Sequence, residues 1–302
     1  MSAFQEWETK QPWLDIRCSL GEGPFFDEES GTVRFLDIKQ KRIHQVSLQD
    51  GISSLETIQL DVAPTVTCNI AGVKPSHRIL IAVKTGIAVL DWKTGKYEVI
   101  GAFPPNKRLR SNDGSADPQG RFWVATMTDF EFGECKPEGS LYYFTKDHQA
   151  VEVLRDLIIP NSVGWSPDNS VMYFTHSTAH QVLALDYDAE SGQATNQRVF
   201  YEHKGPGDPD GFRVDVEGNI WHAIWGESRV VKISPAGELI GQINLPTRNI
   251  TCVQFAGTEL VITTAADEDG DDETSRRFGG AVFRVEVGVR GLGLFDFALN
   301  TE

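Results

Sequence analysis

The chain has 302 residues, 40% of them hydrophobic and 24% charged, with 43 acids against 28 bases and a formal net charge of −15. These proportions belong to a globular chain with a sizeable core and exclude a disordered or membrane-embedded one. So acidic a surface repels phosphate backbones and anionic lipid, which removes nucleic acid and membranes as expected partners.

The first thirteen residues have neither a basic start nor an apolar run, and no stretch reaches the roughly 18 apolar residues of a spanning helix. No secretory signal is expected. Cys18, Cys68, Cys135 and Cys252 lie far apart with no C-x-x-C, so free thiols in a reducing, cytoplasmic setting are predicted. In that setting the sequon Asn249-Ile250-Thr251 is a coincidence.

Helical periodicity is nearly absent. In chain order, residues 32–37, 42–48, 121–126, 139–144, 171–175, 181–187, 219–224 and 229–234 read as short strands. They are rich in β-branched and aromatic residues and bounded by Asp, Gly, Asn or Pro. The units share one grammar: a polar residue opens a short strand, a turn follows, and a second strand runs through an aromatic. The openers fall at Glu22, Thr67, Asn112, Asn161, Asp210 and Thr251, spaced by 45, 45, 49, 49 and 41 residues.

Six units of this length, each with room for four strands, predict an all-β, six-bladed β-propeller. One domain over 1–302, with its core at about 14–297, is expected, since no linker or composition shift divides the chain. The first and last segments are expected to share a blade and close the ring.

In a propeller the innermost strand of each blade points one end into the central channel. Glu22, Asn112, Asn161 and Asp210, each within two residues of a Gly or Pro, would then converge there. Unsatisfied, they would be costly. Two carboxylates with amide oxygens form a hard ligand set suited to calcium, magnesium or manganese. A water-filled channel lined by structural polar groups accounts for them equally well at this point.

The stretches Leu20-Gly-Glu-Gly-Pro24, Arg110-Ser-Asn-Asp-Gly114, Pro160-Asn-Ser-Val-Gly-Trp-Ser166 and Pro209-Asp-Gly211 resemble the signatures of the regucalcin/gluconolactonase (senescence marker protein) family. The likeness extends from about Leu14 to Phe297. It implies a six-bladed propeller with one divalent metal in the central channel, calcium first, with zinc, manganese or magnesium as alternatives. It also implies Glu22, Asn161 and Asp210 as metal ligands, and Arg110 and Asn112 as binders of substrate oxygens, the Asn near the metal or its water.

Relatives acting on sugar lactones carry an acid after their Thr-Met pair. Here Thr126-Met127 is followed by Thr128-Asp-Phe-Glu131, so Asp129 or Glu131 is the candidate substrate-binding acid, with Phe130 as the competing pocket residue. A second departure is His176, where many relatives have Asp.

Other signals carry less. His176-Ser-Thr-Ala-His180 lies at a strand end and lacks the metalloprotease glutamate. The acidic run 267–273 departs from a calcium loop at the turn glycine and the bidentate glutamate, and reads as a solvated loop. No nucleophile elbow or nucleotide cradle is present. Trp165, Trp221 and Trp225 sit near the openers, one of them a candidate pocket wall.

The expected activity is a metal-dependent hydrolase of small cyclic esters, a sugar (aldono-)lactonase in the first instance. Metal polarises the carbonyl, and Asp210 is the base for the attacking water. The alternatives are hydrolysis of other lactones or phosphotriesters at the same site, or a non-enzymatic calcium-binding regulator. The expected partner is a small-molecule lactone; oligomeric state is not legible.

Overall fold

The computed structural model describes residues 4–300. Six sheets follow one another along the chain in a six-bladed β-propeller arrangement. The first blade holds β2 (Gly21–Asp27), β3 (Thr32–Asp37), β4 (Arg42–Ser47) and β5 (Glu56–Gln59), after an N-terminal strand β1 (Gln5–Glu8). The second holds β6 (Val66–Cys68), β7 (Arg78–Val83), β8 (Gly86–Asp91) and β9 (Tyr97–Ala102). The third holds β10 (Leu109–Ala116), β11 (Phe122–Thr128), β12 (Gly139–Phe144) and β13 (Ala150–Leu157). The fourth holds β14 (Pro160–Trp165), β15 (Val171–His176), β16 (Gln181–Asp188) and β17 (Gln193–Glu202). The fifth holds β18 (Asp208–Val214), β19 (Ile220–Trp225), β20 (Arg229–Ile233) and β21 (Leu239–Asn244), and the sixth β22 (Ile250–Ala256), β23 (Glu259–Thr264) and β24 (Phe283–Glu286). All six predicted openers fall in the first strand of a blade.

The chain divides into two compact units, one made of the residues up to Thr57 with Phe200–Leu292, the other of Ile58–Val199 with the residues from Gly293 on. In the first unit, β1 does not join the last blade. It runs parallel to β21 as a fifth strand of the fifth blade, with Trp7 packed 5.0 Å from Trp221. The three-stranded sixth blade is reached instead at Leu14, which exchanges backbone hydrogen bonds with Val282. Its core joins Trp221, Val230 and Ile243 of the fifth blade to Val253, Leu260 and Phe283 of the sixth, and a second cluster joins Val33 and Phe35 to Val261.

In the second unit the apolar clusters lie between the second and third blades (Leu80, Phe122, Val124, Phe144) and between the third and fourth (Trp123, Leu141, Met172, Phe174). The strands alternate, but both faces of the middle strands are buried, as sheets packed face to face require. Among the described residues no helix is long and apolar enough to cross a membrane. None of the four cysteines forms a disulfide. Asn249 and Thr251 of the sequon are buried, which keeps the Asn249 amide from a glycan.

The turn after the inner strand has its own lock. Asp117 and Asp215, both fully buried, accept the indole N–H of the tryptophan six residues on, Trp123 at 3.0 Å and Trp221 at 2.9 Å. Asp117 also takes the Tyr187 hydroxyl at 2.6 Å, and Asp215 the backbone N–H of Glu217 and Asn219. One carboxylate thus closes the turn and pins the middle strand.

The helix the sequence did not signal is α1 (Glu273–Phe278), six residues long, capped by the Asp272 carboxylate accepting from the N–H of Thr274 and Ser275. It changes the reading of the acidic run. Asp267 is buried, accepting from Arg248 at 2.8 Å and Ser275 at 2.6 Å, so one of these acids is buried and structural, and a second, the exposed Asp272, caps a helix. Trp165 and Trp221 are likewise core residues and not pocket walls.

Asp215→Ala leaves at least three buried donors without an acceptor and should cost about 2–4 kcal/mol, read as a lower urea midpoint with unchanged slope. Acid should also weaken the fold. Burial pulls the His44 imidazole down to about 4 and His222 to about 3, so both are neutral when folded. Unfolded, they take up protons below about 6.5. Their contribution is therefore complete above that pH and falls as pH drops toward 4, by on the order of 2–3 kcal/mol per histidine. Urea titrations between pH 7 and 5 would show it; a flat profile would remove the idea.

Candidate functional site

Each motif residue sits at a break in a ladder. In β2 the pairs Glu22–Leu36 and Phe25–Arg34 set three steps on the inner strand against two on its partner. The same extra residue occurs between Ser111 and Gly114, between Pro160 and Val163, and between Pro209 and Phe212. β22 repeats it between Ile250 and Cys252, around Thr251. Only β6, three residues long, pairs without a shift. A bulge re-aims the side chains at the break and leaves backbone unpaired, which suits a ligand site.

The neighbouring glycines allow it. Gly23 has φ +52°, the left-handed region that a β-carbon disfavours. A β-carbon on Gly211 would meet the Cys252 Sγ at 2.3 Å and Cα at 2.8 Å, so β18 approaches β22 only with glycine there.

Within the first unit, Glu22 on β2 is half-buried and Asp210 on β18 is buried. β22 lies between those strands, Thr251 Oγ1 donating to the Gly21 carbonyl at 2.6 Å and Arg213 Nε to Gln254 Oε1 at 2.7 Å. The Gly23 N–H donates to Glu22 Oε2 at 3.1 Å, which orients that carboxylate.

Within the second unit, Asn112 and Asn161 are brought together. The Asn112 Nδ2 donates to the Pro160 carbonyl at 2.8 Å and to Asn161 Oδ1 at 3.2 Å, and Asn161 Nδ2 donates to Ser177 Oγ at 2.8 Å. Both protons of the Asn112 amide are thereby used, and its Oδ1 is left as an acceptor for a ligand. Asp113, buried beside it, ties β10 to β14 by accepting from Ser162 Oγ at 2.5 Å.

Arg110 is buried. Its guanidinium donates to the Ser111 carbonyl at 2.7 Å and to the Met127 sulfur at 3.3 Å, and the half-exposed Phe130 ring covers one face at 4.2 Å. Asp129 and Glu131, flanking Phe130, both pair with Lys84, Asp129 at 2.7 Å. Burial pulls the Lys84 ammonium down, but these two partners outweigh it and hold it up. Asp129 Oδ1 also accepts from the Glu131 N–H, capping the short 3-10 turn Phe130–Phe132. Downstream, Arg108 grips Glu138 through two nitrogens, and that contact, with Thr128, holds the Glu138 carboxyl below its ordinary range.

Lys84 and Arg108 were invisible as site residues, because they come from a turn of the second blade and a loop outside every motif. A net acidity of −15 gave no hint of this local basic pair.

His176 ends β15, where the sequence places it. Its Nε2 accepts from the Ile158 N–H at 3.3 Å, which occupies that lone pair, and burial pushes the imidazole below its ordinary range. Among the described residues no three His, Cys, Asp or Glu side chains gather as a metal cluster. In the first unit the bulges carry two carboxylates, and in the second two amide groups; oxygen donors of both kinds are hard and fit calcium or magnesium better than a soft metal.

Known proteins resemble the chain over most of its length. Regucalcin of Xenopus laevis is 29% identical over 303 residues, covering 92% of this chain and 95% of the relative. A solved luciferin-regenerating enzyme superposes with a TM-score of 0.85 at 30% identity, covering 95% of this chain and 99% of that one. Regucalcin from Agrobacterium tumefaciens, described as a calcium-binding protein, gives 0.87 at 27% identity, with 98% and 99% covered. The family model for the SMP-30/Gluconolactonase/LRE-like region matches residues 20–266. With the four motifs inside that span and each on a bulged inner strand, the chain belongs to the SMP-30/gluconolactonase/LRE-like family.

Proposed function

We propose that this chain is a metal-dependent hydrolase of small lactones, aldonolactones being the class the family name points to. The observation that carries the proposal is the bulge at Glu22, Asn112, Asn161 and Asp210, which turns ladder positions into ligand positions. Glu22, Asn161 and Asp210 would hold one divalent cation. Calcium suits their oxygen donors best and is the ion in the description of the Agrobacterium relative; magnesium, manganese and zinc are the alternatives.

A cation there supplies Lewis-acid polarisation of the lactone carbonyl and of the oxyanion that follows. Asp210 takes the proton from the attacking water, so no covalent intermediate is needed. Asn112, with its Oδ1 open, orients that water or a ring hydroxyl. Arg110 binds a ring oxygen through the edge of its guanidinium, since Phe130 covers its face. Among Asp129, Phe130 and Glu131, Phe130 is placed over Arg110, while the two acids hold Lys84 and so position the segment. Ligands drawn from amide as well as carboxylate keep the site's charge low and the ion electrophilic.

The names of the regucalcin relatives favour a second reading, a calcium-binding regulator without turnover. Hydrolysis of a lactone panel with and without chelator separates the two, because a regulator binds metal yet turns nothing over.

Glu22→Gln, Asn161→Ala and Asp210→Asn should each lower kcat/KM by about a hundredfold or more with the circular dichroism of the fold unchanged. Near-wild-type rates in all three, after chelation and metal titration, would show that the ligands lie elsewhere. Saturating metal should restore much of the rate to Glu22→Gln and little to Asp210→Asn, which has lost its base as well. Equal recovery would reduce Asp210 to a ligand.

A further inference from the structure

One carboxylate of the first unit is almost fully buried and has no part in the proposed chemistry. The Glu227 side chain, in the turn between β19 and β20, is 7% exposed. Its Oε1 accepts from His203 Nε2 at 2.9 Å and from the Gly207 N–H at 2.8 Å, and its Oε2 from Arg229 Nε at 2.8 Å and Nη2 at 2.6 Å. Burial works against the charge, but the Gly207 N–H, His203 and Arg229 outweigh it and hold the carboxyl below its ordinary range. The Gly205-Pro206-Gly207 loop is wrapped closely on this group. A β-carbon on Gly205 would meet Glu227 Oε1 at 1.9 Å, and one on Gly207 the Trp225 carbonyl oxygen at 2.3 Å.

Gly207 leads directly into β18, the strand that carries Asp210. Two ladder pairs, Asp208–Trp225 and Pro209–Ile224, lie between Gly207 and the bulge, and Pro209 has no N–H to give to its partner. The register then jumps to Phe212–His222, so a kinked strand delivers the Asp210 carboxylate. A kink is set by both of its ends. Downstream, β18 is fixed by the Asp215 turn through Glu217, Asn219 and Trp221. Upstream, Glu227 is the matching anchor, tying the entry of β18 to the turn that follows β19.

We propose that Glu227 is a positioning residue for Asp210: by gripping Gly207 it sets where the kinked strand holds the Asp210 carboxylate for a cation. The proposal rests on the reading of Asp210 as a metal ligand. Its content is the reach of the Glu227 side chain and not its charge. Glutamine can offer an oxygen to the Gly207 N–H from the same distance, whereas aspartate keeps the charge and falls one methylene short.

Calorimetric titration with calcium tests it, or with magnesium, manganese or zinc if calcium does not bind, with circular dichroism and urea midpoints read on the same samples. Asp210→Asn should raise the Kd by about tenfold or more. An unchanged Kd, or no binding of any of the four ions by wild type, would end both the ligand reading and this proposal. Where Asp210→Asn does lose affinity, Glu227→Asp should raise the Kd by about tenfold and Glu227→Gln should stay within about threefold of wild type, the loss being that of a partner which orients a ligand. Glu227→Met, which fills a similar volume without an acceptor, should match Glu227→Asp and decides the matter if the shorter side chain does not fold. A lower urea midpoint with an unchanged Kd in the Asp and Met variants would make Glu227 structural only, overturning the proposal and leaving the ligand reading intact. A Kd raised as far in Glu227→Gln as in Glu227→Met would assign the effect to charge and overturn it as well.

Discussion

An extra residue in the innermost strand of a blade is the constraint on which the candidate site depends. A regular antiparallel ladder commits every backbone N–H and C=O to a neighbour and sends side chains alternately into the two packed faces. Glu22, Asn112, Asn161 and Asp210 would then be polar intrusions between apolar sheets. The bulge releases them from that alternation; Gly23 supplies a left-handed backbone conformation, and the glycines at 114 and 211 allow the close approach the kinked strands need. The cost is local. Partners such as Ser177 for Asn161 and Ser162 for Asp113 offset it with buried hydrogen bonds.

The bulges are tolerated because the rest of each blade is held firmly. Beyond the bulge the inner strand regains its register, and the turn that follows is closed in two blades by a buried Asp bound to a buried Trp on the middle strand. The fully buried indole anchors that strand between apolar neighbours, so irregularity at one end is not transmitted outward. The fourth blade uses a weaker version, Asp168 accepting from Ser166 and Ser170 at the surface, which holds its carboxyl down at about 2.

Segment 129–132 packs against the candidate site residue Arg110 and against Lys84. Its two acids bind Lys84, its first aromatic covers Arg110 and its second lines a mostly apolar hollow. A carboxylate that binds a lysine has fewer acceptor sites left for sugar hydroxyls, and an aromatic face over a guanidinium lowers the polarity around it. Selectivity would then be governed by what the segment's side chains bind, more than by how many acids it contains.

The sequence by itself determined the blade count and the strand positions, and it named the candidate site residues. Strand alternation and a repeat near 45 residues are local and periodic, so they survive in one dimension. Predicted segments such as 139–144 and 32–37 coincide with β12 and β3. Tertiary structure alone decided the remainder. The placement of β1 on the fifth blade is a parallel pairing between residues more than 200 apart in sequence. Arg110's burial beneath Phe130, the capture of Asp129 and Glu131 by Lys84, and the structural duty of Asp267 depend likewise on which side chains of distant segments arrive at the same place. Charge and polarity are read from a residue's identity, but whether that charge is free or already matched depends on neighbours that the order of residues does not reveal.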